Sequence, residues 1–153
     1  MVHALSRIHR SLRPDGVLLD LHPQPEHAGV EVWQRGRIER LGHVVQEDDI
    51  KEILEARARL DLVEGDGWYV TERRRFFDLL SHFPSAEDWL EYQAREGYTG
   101  VVSEELLASA NRLLATGDGE FVVREPIRAS LLKRLPRPGS DDPSPGFGAL
   151  PGK

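Results

Sequence analysis

Pro14 and Asp15-Gly16 split the first stretch of this chain into two elements that cannot be one. Before them, Ala4, Leu5, Ile8 and Leu12 recur at helical spacing, with Arg7, Arg10 and Ser11 on the other side. Pro14 disfavours helix at Arg13, and Asp15-Gly16 is turn chemistry. After them, Val17 to Leu21 is a short apolar run interrupted only by Asp20. Such a run suits a strand covered on both faces, as in a parallel sheet. A helix that turns sharply into such a strand restricts the chain to layered α/β architectures.

The rest of the chain is long enough for one domain: 153 residues, 39% hydrophobic and 30% charged. It has no cysteine, so disulfides and thiolate metal sites are excluded. No continuous apolar run suggests a transmembrane helix or a secretory leader, and a cytoplasmic location is expected. The net charge of -6 argues against a nucleic-acid partner. The basic clusters Arg35-Arg37-Arg40 and Arg73-Arg74-Arg75 lie among acids and read as solvated surface. His3, His9, His43 and His82 show no ligand spacing with a third partner, whereas a histidine near Asp20 could serve as a general base or half of a metal pair.

Past Leu21, two prolines and Gly29 mark a loop over 22–29. Segments 30–34 and 37–41 flank Arg35-Gly36 and read as a small hairpin. A left-handed Gly36 with a bulge is the expected turn, since Arg35 resists positive φ. Acids at 47–49 precede a helix from Ile50, with Ile50, Ile53, Leu54, the Arg57 stem and Leu60 on one face; Gly65-Asp66-Gly67 stops it. Residues 68–83 read as a long strand, with helical phase open for Phe76 to Phe83 alone. Ser85 and Ser103 are helix N-caps, the first with Asp88 three residues on. Segment 120–132 alternates, with Phe121, Val123, Ile127, Ala129 and Leu131 on one face and Arg124, Arg128 and Ser130 on the other. Pro126 must sit at a bulge or an unpaired position of that strand. Residues 136–153, rich in Pro, Gly, Ser and Asp, are expected to be a disordered tail.

The opening segment, Leu5-Ser6-Arg7-Ile8-His9-Arg10-Ser11-Leu12-Arg13-Pro14-Asp15-Gly16-Val17-Leu18-Leu19, resembles one motif of class I S-adenosylmethionine-dependent methyltransferases. In that family the motif is the helix before strand five, and strand five itself. Arg10, Leu12 and the Pro14-Asp15-Gly16 turn match. Arg7 stands where a glutamate is usual, and Asp15 where a glycine is usual. The resemblance covers residues 1–135 and implies a Rossmann-like fold. It assigns 17–21, 68–83 and 120–132 to strands five, six and seven, the last antiparallel, with flanking helices and a small hairpin insert.

The family's glycine-rich loop has no counterpart. Gly65-Asp66-Gly67 and Gly117-Asp118-Gly119 follow helices, and strands one to four are absent. The resemblance therefore implies the substrate-side half of a split or truncated methyltransferase, or a late-start reading of one. Such a half is inactive alone and holds no S-adenosylmethionine unless a complementary half is present. The alternative is a non-catalytic dimeric fold module that binds or regulates a partner protein.

In either case the edge of Val17–Leu21 needs cover, from a second copy or from a separate cofactor-binding half. Asp20, His22 and His27 lie at or past the carboxyl end of the presumed strand five, the ligand side of open α/β sheets. Asp20, His22 and Trp33 are the expected substrate-proximal residues, and no catalytic residue is assigned. The two histidines remain readable as ordinary loop residues. Trp33, Trp68, Trp89, Phe76 and Phe77 are readable as core or interface as readily as pocket walls.

Overall fold

The computed structural model describes residues 2–136, so the expected tail lies almost wholly outside the described residues. Four helices and five strands follow one another as α1 (Val2–Ser11), β1 (Val17–Pro23), β2 (Gly29–Gln34), β3 (Arg37–His43), α2 (Glu47–Gly65), β4 (Tyr69–Phe83), α3 (Ala86–Glu96), α4 (Glu104–Leu114) and β5 (Gly119–Arg134). The architecture is α/β, with one open five-stranded sheet in which every strand pair is antiparallel.

The last strand organises the sheet. β5 pairs with β4 over 121–134, from Tyr69 opposite Arg134 to Phe83 opposite Phe121. Its other edge is shared by two strands. β1 takes residues 127–133 and β2 takes 119–124, both antiparallel to β5. β1 and β2 are therefore one line of chain, broken at 24–28 opposite Glu125 and Pro126. The break answers the problem of a proline in a central strand. Pro126 has no N–H to offer there, and its carbonyl accepts from Gln24 N at 2.7 Å.

β1 is not covered on both faces, contrary to the expectation from its apolar run. Its residues alternate. Leu18, Asp20 and His22 are half-buried, whereas Val17, Leu19 and Leu21 are 48%, 60% and 57% exposed. The reason is which helices cover which face. α1 and the end of α2 cover one face of the sheet, where Leu5, Leu60 and Val63 pack on Tyr69 and Leu132. α3 and α4 cover the opposite face at the other end of β5, where Trp89, Leu106 and Ala110 pack on Val30, Val32 and Phe121. The two cores share no residue. Side chains facing the same way as Val17, Leu19 and Leu21 at the first end have no helix above them among the described residues. β4 remains half-bare along its middle, with Phe76 and Phe77 65% and 46% exposed, so neither is core.

A register shift between Thr71 and Arg73 keeps Tyr69 on the helix-covered face despite the odd count to Arg74 and Phe76. β4 is otherwise an unbroken strand, so the helical option for 76–83 is not taken. The serine caps form as expected. Ser85 Oγ accepts from Asp88 N at 3.1 Å, and Ser103 Oγ from Leu106 N at 3.2 Å.

Two details depart from expectation. Arg35 does take positive φ (49°), beside Gly36 at 74°, and Gln34 pairs directly with Arg37. A two-residue loop needs both central residues left-handed to match strand twist, and that requirement overrides the reluctance of arginine. The Arg35 guanidinium also donates to Thr116 O at 3.2 Å. In α2 the buried residues are Ala56, Leu60 and Val63, and Leu54 is 49% exposed. The apolar stripe is thus shifted about the helix from the one read in sequence.

Candidate functional site

The break between β1 and β2 makes a place for ligands. α2 begins near the α3–α4 side of the sheet, held by the bridge between Val45 and Val101, and ends packed on the other side. Where it passes the broken strand line, two adjoining clefts open. The first, about 310 Å³, lies between the carboxyl end of β1 and the first turns of α2. The second, about 280 Å³, lies between β5 and α3. Pro23, Gln46, Tyr98 and Glu125 line both.

His22 is on the wall of the first cleft. Its Nε2 lies 3.3 Å from Asp20 Oδ1, the two side chains being 20% and 16% exposed. Strand alternation puts them on one face of β1, two residues apart. Behind them Arg128 is almost wholly buried, with a terminal nitrogen 3.6 Å from the other Asp20 oxygen. Ser130 is buried opposite Asp20. An imidazole steadied by a carboxylate, with a guanidinium behind that carboxylate, is suited to accept and return a proton at the cleft wall.

His27 faces elsewhere. Its Nδ1 accepts from Gln46 N at 3.2 Å and its ring stacks on His43, so it fastens the loop to the start of α2.

Trp33 is not part of this site. It pairs with Glu120 whereas His22 pairs with Arg128, which places it about 26 Å away along β5. It lines a shallow depression at the β2–β3 hairpin tip, and its indole donates to Glu31 at 2.6 Å. Of the other aromatics, Trp89 is 3% exposed, belongs to the core and still reaches the second cleft. Trp68 packs on the opposite core.

Three residues of the cleft were not legible as site residues. Glu125 faces inward beside Val123. Burial pushes its carboxyl above the usual carboxylate range, and nearby Asp49 adds to the effect. Tyr98 follows the left-handed cap Gly97 at the end of α3. A hydrogen bond with Tyr92 chiefly raises its hydroxyl's pKa; burial and the charges of Glu96 and Glu125 add to the rise. The ring centroids of Tyr92 and Tyr98 are 5.9 Å apart, and those of Phe83 and Tyr92 5.4 Å. Gln46 caps nothing with its side chain at the start of α2 and turns to the cleft instead. The one local signal was the Glu125-Pro126 pair, which marked where the strand must be interrupted.

No protein-family model, curated protein or solved structure matches the chain.

The junctions from strand to helix bear on S-adenosylmethionine. A Rossmann-type cofactor site needs a glycine-rich turn that exposes backbone N–H groups at a helix N-terminus. β4 enters α3 through Pro84-Ser85, whose hydroxyl already takes the Asp88 N–H. α2 begins with Glu47, Asp48 and Asp49, which repel an anionic group. Neither junction among the described residues has that form. Among them, no three His, Asp or Glu side chains are grouped to hold a metal ion, and no helix is long and apolar enough to cross a membrane.

Proposed function

We propose that the chain is the substrate-side half of a methyltransferase-like Rossmann sheet, without cofactor affinity of its own. The observation that carries this reading is the order β1–β5–β4. β1 and β4 both run antiparallel to β5, and hence parallel to each other. Each is preceded by a helix packed on the same face, α1 before β1 and α2 before β4. Strands five, seven and six of the family stand in that order, with seven reversed between its neighbours. The β2–β3 hairpin and the loop after β1 are then additions on the substrate side. Asp20 and His22 lie at the carboxyl end of β1, where open α/β sheets present ligands.

On this reading the far edge of β1 receives strand four from elsewhere. Among the described residues β1 pairs with β5 alone, and its uncovered face presents Val17, Leu19 and Leu21. A separate cofactor-carrying chain supplies the missing strand and the S-adenosylmethionine site together. The bare apolar face also supports a second reading, a non-catalytic module in which another copy covers β1.

Calorimetric titration of the purified chain with S-adenosylmethionine tests the main reading: no saturable heat is expected, and one-to-one binding would overturn it. Sedimentation equilibrium tests the need for cover, and a stable monomer throughout the micromolar range counts against both versions.

A further inference from the structure

We propose that the two adjoining clefts form one binding site for an organic cation, an amine or alkylammonium with an apolar or aromatic body, and that the Glu125 carboxylate is its counter-charge. The Glu125 side chain forms no hydrogen bond or ion pair with the described residues, although it is half-buried. The contrast with Glu31 on the same sheet is direct: Glu31 is held by Arg124, Arg40 and the Trp33 indole. Among the described residues, no lysine or arginine lines either cleft. The titratable side chains that do are His22, Glu26, Asp49, Glu52, Tyr92, Tyr98 and Glu125. A half-buried carboxylate among such neighbours is stabilised by a positive ligand.

The walls select the rest of the ligand. Phe83, Trp89, Tyr92 and Tyr98 surround the second cleft, and rings of this kind attract a cation through their faces while excluding water from its substituents. Tyr92 already accepts one such contact, with the Arg95 guanidinium 5.4 Å from its ring centroid. Each cleft alone is near the lower limit for a small-molecule site; joined at Glu125 and Tyr98 they fall within the usual range. The ammonium sits at the junction, its body enters the aromatic cleft, and a second polar group reaches the first cleft near His22. Binding does not depend on the methyltransferase reading; only naming the cation as a methyl acceptor rests on it.

Benzylamine, benzyl alcohol and benzoate share a ring and differ in charge. Each is titrated into the full chain at neutral pH and followed by nuclear magnetic resonance at the Trp89 indole and the Tyr98 amide. Benzylamine is expected to bind saturably and about tenfold more tightly than benzyl alcohol, with benzoate weakest. Glu125→Gln, with unchanged circular dichroism, is expected to remove the advantage of the amine and leave benzyl alcohol binding as it was. Tyr98→Ala is expected to weaken the amine and the alcohol together. Equal binding of amine and alcohol, tighter binding of benzoate, no saturable shift, or an amine preference that survives Glu125→Gln overturns the proposal. Because these titrations need no cofactor, their outcome is separate from that of S-adenosylmethionine.

Discussion

Arg124 grips Glu31 at both carboxylate oxygens, Nε to Oε1 at 2.9 Å and a terminal nitrogen to Oε2 at 3.0 Å. The same guanidinium reaches Asp78 on β4 at 2.7 Å, so one arginine ties β2, β4 and β5 across the sheet. The Glu31 side chain is 3% exposed, while Arg124 keeps 28% of its surface in water. Glu31→Gln keeps one acceptor for Arg124 but removes the charge and the second carboxylate oxygen. It is expected to destabilise the fold by about 2 kcal/mol, less than a fully buried pair because Arg124 stays partly solvated. Urea unfolding of the two proteins at pH 7 measures it.

Acid separates two carboxylates of opposite behaviour. The Arg124 hydrogen bond holds the Glu31 carboxyl below its ordinary range, against the effect of burial. Its stabilising share is complete at neutral pH and is lost as pH falls through that lowered value. The Glu125 carboxyl is raised, so the fold gains from its protonation as pH falls and loses that gain as pH rises through the raised value. Glu31→Gln should therefore flatten the fall in stability below about pH 4, and Glu125→Gln should stabilise the chain at neutral pH. Unfolding midpoints from pH 3 to 8, on the order of one measurement per unit, display both effects.

Trp33 offers a control for the site. Trp33→Phe removes the indole donor to Glu31 and should cost about 1 kcal/mol. Placed far along β5 from His22, it should leave amine titrations unchanged. An altered affinity would tie the hairpin tip to the clefts.

Gly97 positions Tyr98. It ends α3 at φ 75°, and nothing stands within 4 Å of where a side chain would begin. Gly97→Ala thus meets only the conformational penalty, about 1 kcal/mol. It should weaken benzylamine binding by displacing the tyrosine, as read by the same titration.

Leu19 tests the bare face. At 60% exposure, Leu19→Lys should change the stability of the isolated chain by less than about 0.5 kcal/mol. Any self-association through β1 should fall sharply, as sedimentation would show.

Local chemistry was readable from the residues. The serine caps, the Pro14-Asp15-Gly16 turn and the interruption at Pro126 each depend on near neighbours, and each has the expected form. The half-buried pattern of β5 departs from the one read in sequence: Arg128 and Ser130, on the side opposite the apolar set, are buried beside Leu132, while Ala129 and Leu131 are only half-buried, because α1 and α2 cover that side. What was not readable depends on partners distant in sequence. Nothing in Val17–Leu21 says that one of its faces lacks a helix. Nothing around Arg35 says that hairpin twist will force positive φ. Leu54 and Val63 both fit an apolar stripe until the packing of Tyr69 and Leu132 selects Val63. Asp20 and His22 were singled out for their place at the carboxyl end of the presumed strand five; that they share one face of β1 and meet at 3.3 Å was not read, because His22 was assigned to the loop. Glu125 and Tyr98 come from segments that meet only when β5 is laid against the broken line of β1 and β2.

That broken line also has a mechanical meaning. The two cores sit at opposite ends and on opposite faces of one sheet, whose strand β4 is exposed from Arg73 to Leu79. α2, starting beside one core and ending in the other, is the strut that sets the angle between them. The clefts open beside that strut, so a molecule lodged between Glu125, Tyr98 and the first turns of α2 acts as a rivet. It should merge the melting of two half-independent ends into a single transition.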